Sequence, residues 1–280
     1  MRVDTLGTGA LVVKIAGLAG GVGLYREEME RAARAGFRVA ALDTTGDRQD
    51  DPAPGRLTWD SLAAEVFLTI ERLGEERGIL WGTSFGCLVA LAAAARRPER
   101  VSALLLCHPP DPCWRPPLYL RLADWAEGRP DPDATIRRMF SLGLLLRAGW
   151  EFLYPAALFR SPALFREALD ARTPSSTIAD KIRLLLRVVP GLPPPEAAIP
   201  SAVVAGAWDT IPPPRLARAL AGRLPGSKLR ILDRSGHAGA FSRPGAYGEI
   251  VLEELARLTR NPSPRWERGD EGSSIESQLL

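Results

Sequence analysis

The chain has 280 residues, enough to bury a sizeable hydrophobic core in one large domain or in a core domain with an inserted subdomain. Its formal net charge is +3, and this small excess comes from arginine because the only lysines are Lys14, Lys181 and Lys228. A charge so close to balance excludes the strongly basic composition of many nucleic-acid-binding proteins, so we expect no nucleic acid partner.

The cysteines and two long apolar stretches bear on where the protein works. Cys87, Cys107 and Cys113 have no metal-ligand spacing, and two of them lie in apolar runs where a free thiol packs as a small hydrophobic group. This favours a reducing, cytoplasmic compartment. The stretch 6–24 contains a lysine and six glycines, and the stretch 79–95 contains a serine turn between glycines. Neither resembles a signal sequence or a membrane span, so we expect no span.

From residue 11 onward, short aliphatic or β-branched runs alternate with longer segments of helical spacing, which is the pattern of βα units on a parallel sheet. Thr58 is the expected cap of the second helix. The predicted strands cover about 11–17, 37–43, 78–82, 101–107 and 201–206, with a last strand and its loop in 228–237. The predicted helices cover about 25–35, 58–73, 84–97, 212–224 and 246–257.

The regular alternation stops after residue 107, and roughly ninety residues pass before the next credible strand. Because this is far longer than an ordinary connection, residues 108–200 are predicted to form an inserted, mostly helical cap that is rich in leucine and aromatic residues. The α/β core is then made of 1–107 and 201–259, with a mostly parallel central sheet and flanking helices. The polar, aperiodic segment 260–280 is predicted to be a disordered tail.

A serine between two glycines, in the sequence Gly-Thr-Ser-Phe-Gly, separates a predicted strand from a predicted helix. Gly82 and Gly86 have no side chains, which allows the backbone the close approach that a very sharp turn requires. Such an elbow lifts the hydroxyl of Ser84 above the carboxyl edge of the sheet and points the amino terminus of the helix at an oxyanion formed there. Ser84 is therefore the candidate nucleophile, and the backbone amide of Phe85 is a candidate oxyanion donor.

A serine nucleophile needs a base, and the chain has only two histidines. His237 lies just after the last predicted strand, on the same edge of the sheet as Ser84, where a loop histidine can reach the elbow. His108 also follows a strand but precedes two prolines, and its alternative role is a structural hydrogen bond. We therefore favour His237 as the base.

The base in turn needs a carboxylate to fix its tautomer. Asp209 directly follows the predicted strand 201–206 and is the favoured partner, although an aspartate before Pro212 could also cap a helix or a turn. Asp111, after the preceding strand, is the alternative acid. Asp233 belongs to the end of the last strand and is expected to be structural.

The glycine-rich segment 16–21, after the first predicted strand, is the expected source of a second oxyanion donor, and the amide of Leu18 is the candidate. A phosphate-binding loop is the alternative, but the segment has neither Gly-Lys-Ser/Thr nor Gly-x-Gly-x-x-Gly spacing. We expect no metal, because the two histidines lie in separate loops and no carboxylates cluster. Nothing in the sequence indicates a cofactor.

With serine, aspartate and histidine in this chain order, each after a predicted strand, the sequence resembles the α/β-hydrolase superfamily over about residues 11–259. The resemblance implies Ser84 as nucleophile, His237 as general base and then acid, and Asp209 as the partner of the histidine. It also implies that the two backbone amides named above form the oxyanion hole. Members with a cap at this position hydrolyse esters, lactones, thioesters, amides or carbon–carbon bonds.

Three features depart from the pattern of that family. Ala16 stands where the oxyanion loop usually has the histidine of a His-Gly pair, and the loop after Asp43 lacks the usual glycine-flanked basic turn. Barely ten residues precede the first predicted strand, so the amino-terminal strand pair is expected to be short or missing and the sheet reduced.

The leading functional hypothesis is a serine hydrolase of the esterase type that cleaves a carboxylic ester, lactone or thioester through an acyl-enzyme on Ser84. The leucine-rich and aromatic cap predicts a small-molecule substrate with a mainly apolar acyl or alcohol group. A second hypothesis keeps the same three residues but transfers the acyl group to another acceptor or hydrolyses a carbon–carbon bond. A third is a catalytically silent binding protein of the same fold.

Overall fold

A seven-stranded sheet forms the centre of the molecule. The computed structural model describes residues 2–18, 25–46, 56–112, 117–152, 173–187 and 189–261. The strands are β1 (Arg2–Leu6), β2 (Ala10–Ile15), β3 (Phe37–Asp43), β4 (Gly78–Thr83), β5 (Val101–Cys107), β6 (Ser201–Gly206) and β7 (Lys228–Leu232). Their order is β1-β3-β2-β4-β5-β6-β7, with β1 antiparallel to β3 and every other neighbouring pair parallel. The prediction of a mostly parallel sheet with flanking helices is confirmed.

Helices cover both faces of this sheet. Within the described residues they are α1 (Arg26–Arg34), α2 (Trp59–Arg72), α3 (Phe85–Arg96), α4 (Pro117–Glu127), α5 (Pro132–Phe152), α6 (Ser175–Arg187), α7 (Pro214–Arg223), α8 (Gly239–Ser242) and α9 (Pro244–Arg260). The side chains of β2 alternate between the two faces, so Val13 packs into the core beside α2 and α3, whereas Val12 packs into the core beside α1 and α9. Thr58 caps α2 as predicted: its Oγ1 accepts a hydrogen bond from the Ser61 amide at 3.0 Å.

The first predicted strand begins at residue 11, but the sheet contains an earlier strand that was not predicted. The missed strand, β1, lies at the edge of the sheet and pairs with β3, so that Leu6 lies opposite Val39. It has a neighbour on one side only, and a short edge strand with mixed polar and apolar residues carries little periodic signal. The described residues thus contain one antiparallel strand where the resemblance implies a pair.

The topology places two loops side by side at the carboxyl edge of the sheet. β2 pairs with β3 on one side and with β4 on the other, so the chain reverses its direction of winding between β2 and β4. The carboxyl ends of strands at such a reversal flank the crevice in which open α/β sheets bind ligands. Gly17 and Leu18 follow β2, and Ser84 follows β4, so all three lie at this crevice.

The segment predicted to form a cap contributes the helices α4, α5 and α6 between β5 and β6, joined in its described part by turns and irregular stretches such as 189–194. Cys113, residues 153–172 and residues 262–280 lie outside the described part of the chain, so the division into core, cap and tail stays a prediction. In the part that the structure describes, no helix is long and apolar enough to cross a membrane.

Candidate active site

The turn between β4 and α3 places Ser84 in a strained backbone conformation, with φ 52° and ψ −117°. The turn requires both of its glycines. A Cβ atom on Gly82 would lie 2.6 Å from the carbonyl oxygen of Gly86, and one on Gly86 would lie 2.3 Å from the carbonyl oxygen of Ile15. The amide of Ser84 donates to the Cys107 carbonyl at 2.9 Å, which ties the turn to β5.

The hydroxyl of Ser84 and the side chains of His237 and Asp209 form a continuous chain of hydrogen bonds. His237 Nδ1 lies 2.9 Å from Asp209 Oδ2, and His237 Nε2 lies 3.1 Å from Ser84 Oγ. Because an ionised carboxylate can only accept, the proton of the neutral imidazole lies on Nδ1. Nε2 is therefore left to accept the proton of the Ser84 hydroxyl.

Asp209 follows β6 and is almost fully buried, with 3% of its surface exposed. Burial by itself raises the pKa of this carboxyl, but the charge of His237 and the hydrogen bonds from His108 and His237 lower the pKa from 3.8 to about 2. The other carboxylate oxygen, Oδ1, accepts from the Ile211 amide at 3.0 Å. Asp209 is thus ionised and held at both oxygens.

The second histidine reaches the same carboxylate oxygen. His108 is buried, and its Nδ1 lies 3.1 Å from Asp209 Oδ2. His108 was the alternative to His237 as the base, with a structural hydrogen bond as its other predicted role, and that hydrogen bond is present. The two histidines lie in separate loops, as predicted, but their ring centroids are only 5.5 Å apart, so separate loops do not argue against a metal here. Ligand atoms of His108, Asp209 and His237 lie within 4.8 Å of one another.

The alternative acid, Asp111, is paired with an arginine. Its two carboxylate oxygens accept from the Arg223 guanidinium at 3.1 and 2.6 Å, in a bidentate geometry. Asp111 borders the same cavity as Ser84. Asp233 is exposed at the end of β7, and its backbone carbonyl accepts from Arg243 at 3.2 Å.

The loop after β2 touches the elbow. A Cβ atom on Gly17 would lie 3.6 Å from the Cβ of Ser84, and the close approach of Gly86 to Ile15 holds α3 against the end of β2. Leu18 is buried and borders the same cavity as Ser84 and Phe85. Phe85 begins α3, where an amide has no carbonyl partner within the helix. Both predicted oxyanion donors therefore belong to residues at the site.

A cavity of about 420 Å³ opens beside Ser84. Its walls are almost entirely apolar, and they come from loops at the sheet edge and from α4, α5 and α6. Prominent lining residues are Leu18, Phe85, Ala126, Ile136, Phe140 and Ile182. Such a cavity suits a small apolar group held next to the serine.

A buried cation under the elbow was not recognised from the sequence. Lys14 of β2 is fully buried, and it donates to Thr83 Oγ1 at 2.7 Å and to Glu28 at 3.4 Å. Its ammonium nitrogen lies 3.9 Å from the centroid of the Trp81 ring. Since Thr83 directly precedes Ser84, this cluster supports the elbow from the opposite face of the sheet. The sequence signal that could have identified this buried cation is a single lysine, Lys14, within an otherwise apolar strand.

The two described cysteines, Cys87 and Cys107, are buried free thiols, as expected. Burial raises the pKa of both thiols, to about 11 for Cys107. Cys87 Sγ donates to the backbone carbonyls of Gly82 and Cys107 at 3.3 and 3.2 Å. Neutral thiols in this setting pack the elbow and do not act as nucleophiles.

Comparisons with known proteins identify the family of the chain. A family model described as "alpha/beta hydrolase fold" matches residues 10–244. The chain is 26% identical over 264 residues to RutD from Klebsiella pneumoniae, which is named as a proposed carbamate hydrolase, and the match covers 89% of this chain and 92% of RutD. It is 28% identical over 229 residues to a pimeloyl-[acyl-carrier protein] methyl ester esterase from Neisseria meningitidis, covering 74% of this chain and 63% of that protein.

A solved structure shares the fold. The enol-lactonase from Burkholderia xenovorans superposes with a TM-score of 0.71 at 20% identity, over 91% of this chain and 96% of that chain. The family match and the hydrolase names of the relatives support a hydrolase activity for this chain.

Proposed function

The chain belongs to the α/β-hydrolase family, and on that premise we propose that it is a serine hydrolase that cleaves a carboxylic ester, lactone or thioester of a mainly apolar small molecule. One observation carries the proposal. Ser84 Oγ, which borders the apolar cavity, lies 3.1 Å from His237 Nε2, and His237 Nδ1 lies 2.9 Å from Asp209 Oδ2. This is the hydrogen-bond chain that makes a serine hydroxyl nucleophilic at neutral pH.

In the proposed first half-reaction, His237 Nε2 takes the proton of Ser84 as Oγ attacks the substrate carbonyl carbon. The carbonyl oxygen becomes an oxyanion, which the backbone amides of Leu18 and Phe85 stabilise. His237 then gives its proton to the leaving alcohol or thiol as the bond to the carbonyl carbon breaks. Asp209 stays ionised throughout and stabilises the imidazolium.

The second half-reaction removes the acyl group from Ser84. A water molecule loses its proton to His237 Nε2 and attacks the acyl carbon, and the bond to Ser84 Oγ breaks as His237 returns the proton to the serine. The products are a carboxylic acid and the free enzyme. If an alcohol or amine takes the place of water, the same steps transfer the acyl group, so only the products separate a hydrolase from a transferase.

The apolar character of the substrate follows from the cavity. Helices α4, α5 and α6 act as a cap over the serine, and their side chains supply most of its walls, including Ala126, Ile136, Phe140 and Ile182. Burying the methylene groups of a chain in such a cavity is favourable by about 0.8 kcal/mol each. The relative named as a methyl ester esterase supports an ester over a carbon–carbon bond.

Fluorophosphonate labelling, read by intact mass and peptide mapping, tests the nucleophile. We expect one adduct on Ser84 in the wild-type protein and none in Ser84→Ala or His237→Ala, with all three proteins folded by circular dichroism. Turnover of an ester panel should disappear in the same two variants. A folded wild-type protein that takes no label would contradict the proposal and favour a silent binding protein, and so would full esterase activity in Ser84→Ala.

A further inference from the structure

We propose that His108 is a positioning residue, whose Nδ1–H holds the carboxylate of Asp209 in the orientation that His237 requires. This inference rests on the proposed function, because it assigns Asp209 to the hydrogen-bond chain that activates Ser84. It gives a role to a buried polar side chain that the proposed reaction does not otherwise use.

The contacts of Asp209 show what His108 adds. Oδ2 accepts from both histidines, at 3.1 Å from His108 Nδ1 and 2.9 Å from His237 Nδ1. Oδ1 accepts from the amide of Ile211 at 3.0 Å. During turnover His237 changes its protonation state, whereas the other two donors do not take part in proton transfer. His108 and Ile211 therefore hold one carboxylate oxygen each while the base works.

The tautomer of His108 follows from its surroundings. Its Nδ1 faces a carboxylate, which only accepts, so the proton lies on Nδ1. Its Nε2 is buried and has no hydrogen-bond partner among the described residues, so a second proton there would lack an acceptor. Burial accordingly lowers the pKa of His108. The residue serves as a neutral donor beside a histidine that must gain and lose charge.

The ring of His108 is fixed from several sides. It stacks on Tyr247 with ring centroids 5.9 Å apart, and it meets the edge of His237. A Cβ atom on Gly239 would lie only 3.2 Å from His108 Nε2, so glycine at that position leaves room for the ring. With 2% of its surface exposed, the imidazole has little freedom to leave the carboxylate.

The backbone of His108 is also in an unusual conformation. β5 ends at Cys107, and His108 follows with φ 55°, in the left-handed region that is uncommon for residues other than glycine and that histidine, asparagine and aspartate adopt more readily than most. Its amide donates to the Val204 carbonyl in β6 at 2.7 Å. This hydrogen bond joins the residue that follows β5 to β6, the strand that leads to Asp209.

A matched pair of variants tests the role. His108→Asn keeps a nitrogen donor at the place of Nδ1 and tolerates positive φ, whereas His108→Gly tolerates positive φ and has no donor. On an ester substrate we expect kcat to fall roughly 10-fold to 100-fold in His108→Gly, with KM nearly unchanged, because a hydrogen bond to a charged group is lost. His108→Asn should recover most of kcat. Equal losses in both variants, or an unchanged kcat in His108→Gly, would overturn the proposal.

A second measurement does not depend on turnover. Because the chain has only two histidines, ¹⁵N-histidine labelling gives an NMR spectrum in which each ring can be assigned from His108→Asn. We expect His108 to carry its proton on Nδ1, with a far-downfield signal, both in the wild type and in Ser84→Ala. A His108 protonated on Nε2 overturns the proposal. Failure of the proposed function is separate, since it appears as absent labelling of Ser84.

Discussion

The proposed reaction depends strongly on Asp209, because its carboxylate fixes the proton of His237 on Nδ1. Asp209→Asn replaces an acceptor by an amide that can donate to Nδ1, and this favours the tautomer with its proton on Nε2, which cannot act as a base. We expect kcat to fall by about 10⁴-fold with the protein still folded, measured on an ester and by the rate of fluorophosphonate labelling.

Asp111→Asn is the matched control, since it makes the same chemical change at the other candidate acid. Asp111 pairs with Arg223 and has no place in the hydrogen-bond chain proposed for catalysis. We expect a loss of kcat far smaller than that of Asp209→Asn. If Asp111→Asn is the more damaging change, the assignment of the acid is wrong.

The pKa of Asp209 also predicts a dependence of stability on pH. The folded-state pKa is about 2 and the ordinary value is 3.8, so this group stabilises the folded state above about pH 4 and the contribution disappears as the pH falls toward 2. The shift corresponds to about 2 kcal/mol. Urea unfolding of Asp209→Asn should show a shallower loss of stability over this acid range than the wild type. If stability falls with pH equally steeply in both proteins, Asp209 does not contribute the predicted acid dependence.

At the scale of elements, the contact between α3 and β2 brings the loop after β2 close to Ser84. Gly86→Ala would place a methyl group 2.3 Å from the Ile15 carbonyl and 2.5 Å from that of Ala16. Because both atoms are backbone, the helix must move away from the strand. We expect a loss of about 3 kcal/mol in the free energy of urea unfolding, together with a loss of turnover.

Gly222→Ala in α7 is the control for this change. Outside its own helix, a Cβ atom at Gly222 meets no heavy atom of the described residues within 4 Å, and the residue is exposed. Alanine should therefore stabilise the helix by about 0.5–1 kcal/mol and leave turnover as it is. Equal effects of the two substitutions would show that the close approach at Gly86 does not matter.

Lys14 joins β2, α1 and β4 through its contacts with Glu28 and Thr83. Burial raises the pKa of the Glu28 carboxyl, and the charge of Lys14 opposes this. Lys14→Met removes the cation and leaves the carboxylate unpaired, so we expect a loss of roughly 3 kcal/mol at neutral pH. Adding Glu28→Gln to Lys14→Met should recover part of the lost stability, because the unpaired buried carboxylate is then removed. If the losses in free energy of unfolding for the two single variants simply add up in the double variant, Lys14 and Glu28 do not interact.

Several elements could be predicted from sequence because their signals are local. Thr58 indicated the start of α2, and the glycines on either side of Ser84 indicated the sharp turn between β4 and α3. Ser84, Asp209 and His237 could be proposed because each follows a strand, and the carboxyl ends of parallel strands meet at one edge. The contacts of His108 with Asp209 and of Asp111 with Arg223 could not be predicted, because several polar side chains reach the same sheet edge and no local pattern says which of them meet. Only the packing of the sheet determines which side chains at that edge touch.

For the molecule as a whole, the cavity exists because three helices are held together over the sheet edge. Arg183 of α6 donates to Glu127 of α4 at 2.7 Å and to Asp133 of α5 at 2.8 Å. It also donates to Asp180 one turn earlier in its own helix, at 2.9 Å. One partly buried guanidinium thus joins all three helices, and an Arg183 network with several charged partners contributes more than isolated surface pairs do.

The volume and lining of the cavity predict which esters are cleaved best. About 420 Å³ would hold roughly 14 water-sized groups, enough for an acyl chain of about eight carbons with part of its leaving group. Each methylene buried in the transition state is worth about 0.8 kcal/mol, or about 4-fold in rate. We therefore expect kcat/KM on p-nitrophenyl esters to rise from acetyl to about octanoyl and then to level off.

Ala126→Phe tests whether this cavity sets that preference. Ala126 is fully buried and lines the cavity, so a phenyl group there takes the space of the distal chain. The loss of kcat/KM should grow with chain length and reach about 10-fold or more for octanoyl. Leu118→Phe lies on the same helix but is 63% exposed and outside the cavity wall, so its profile should follow the wild type. A uniform loss across all chain lengths in Ala126→Phe would place the acyl chain elsewhere, because only an occupied distal cavity makes the added ring cost more for longer chains.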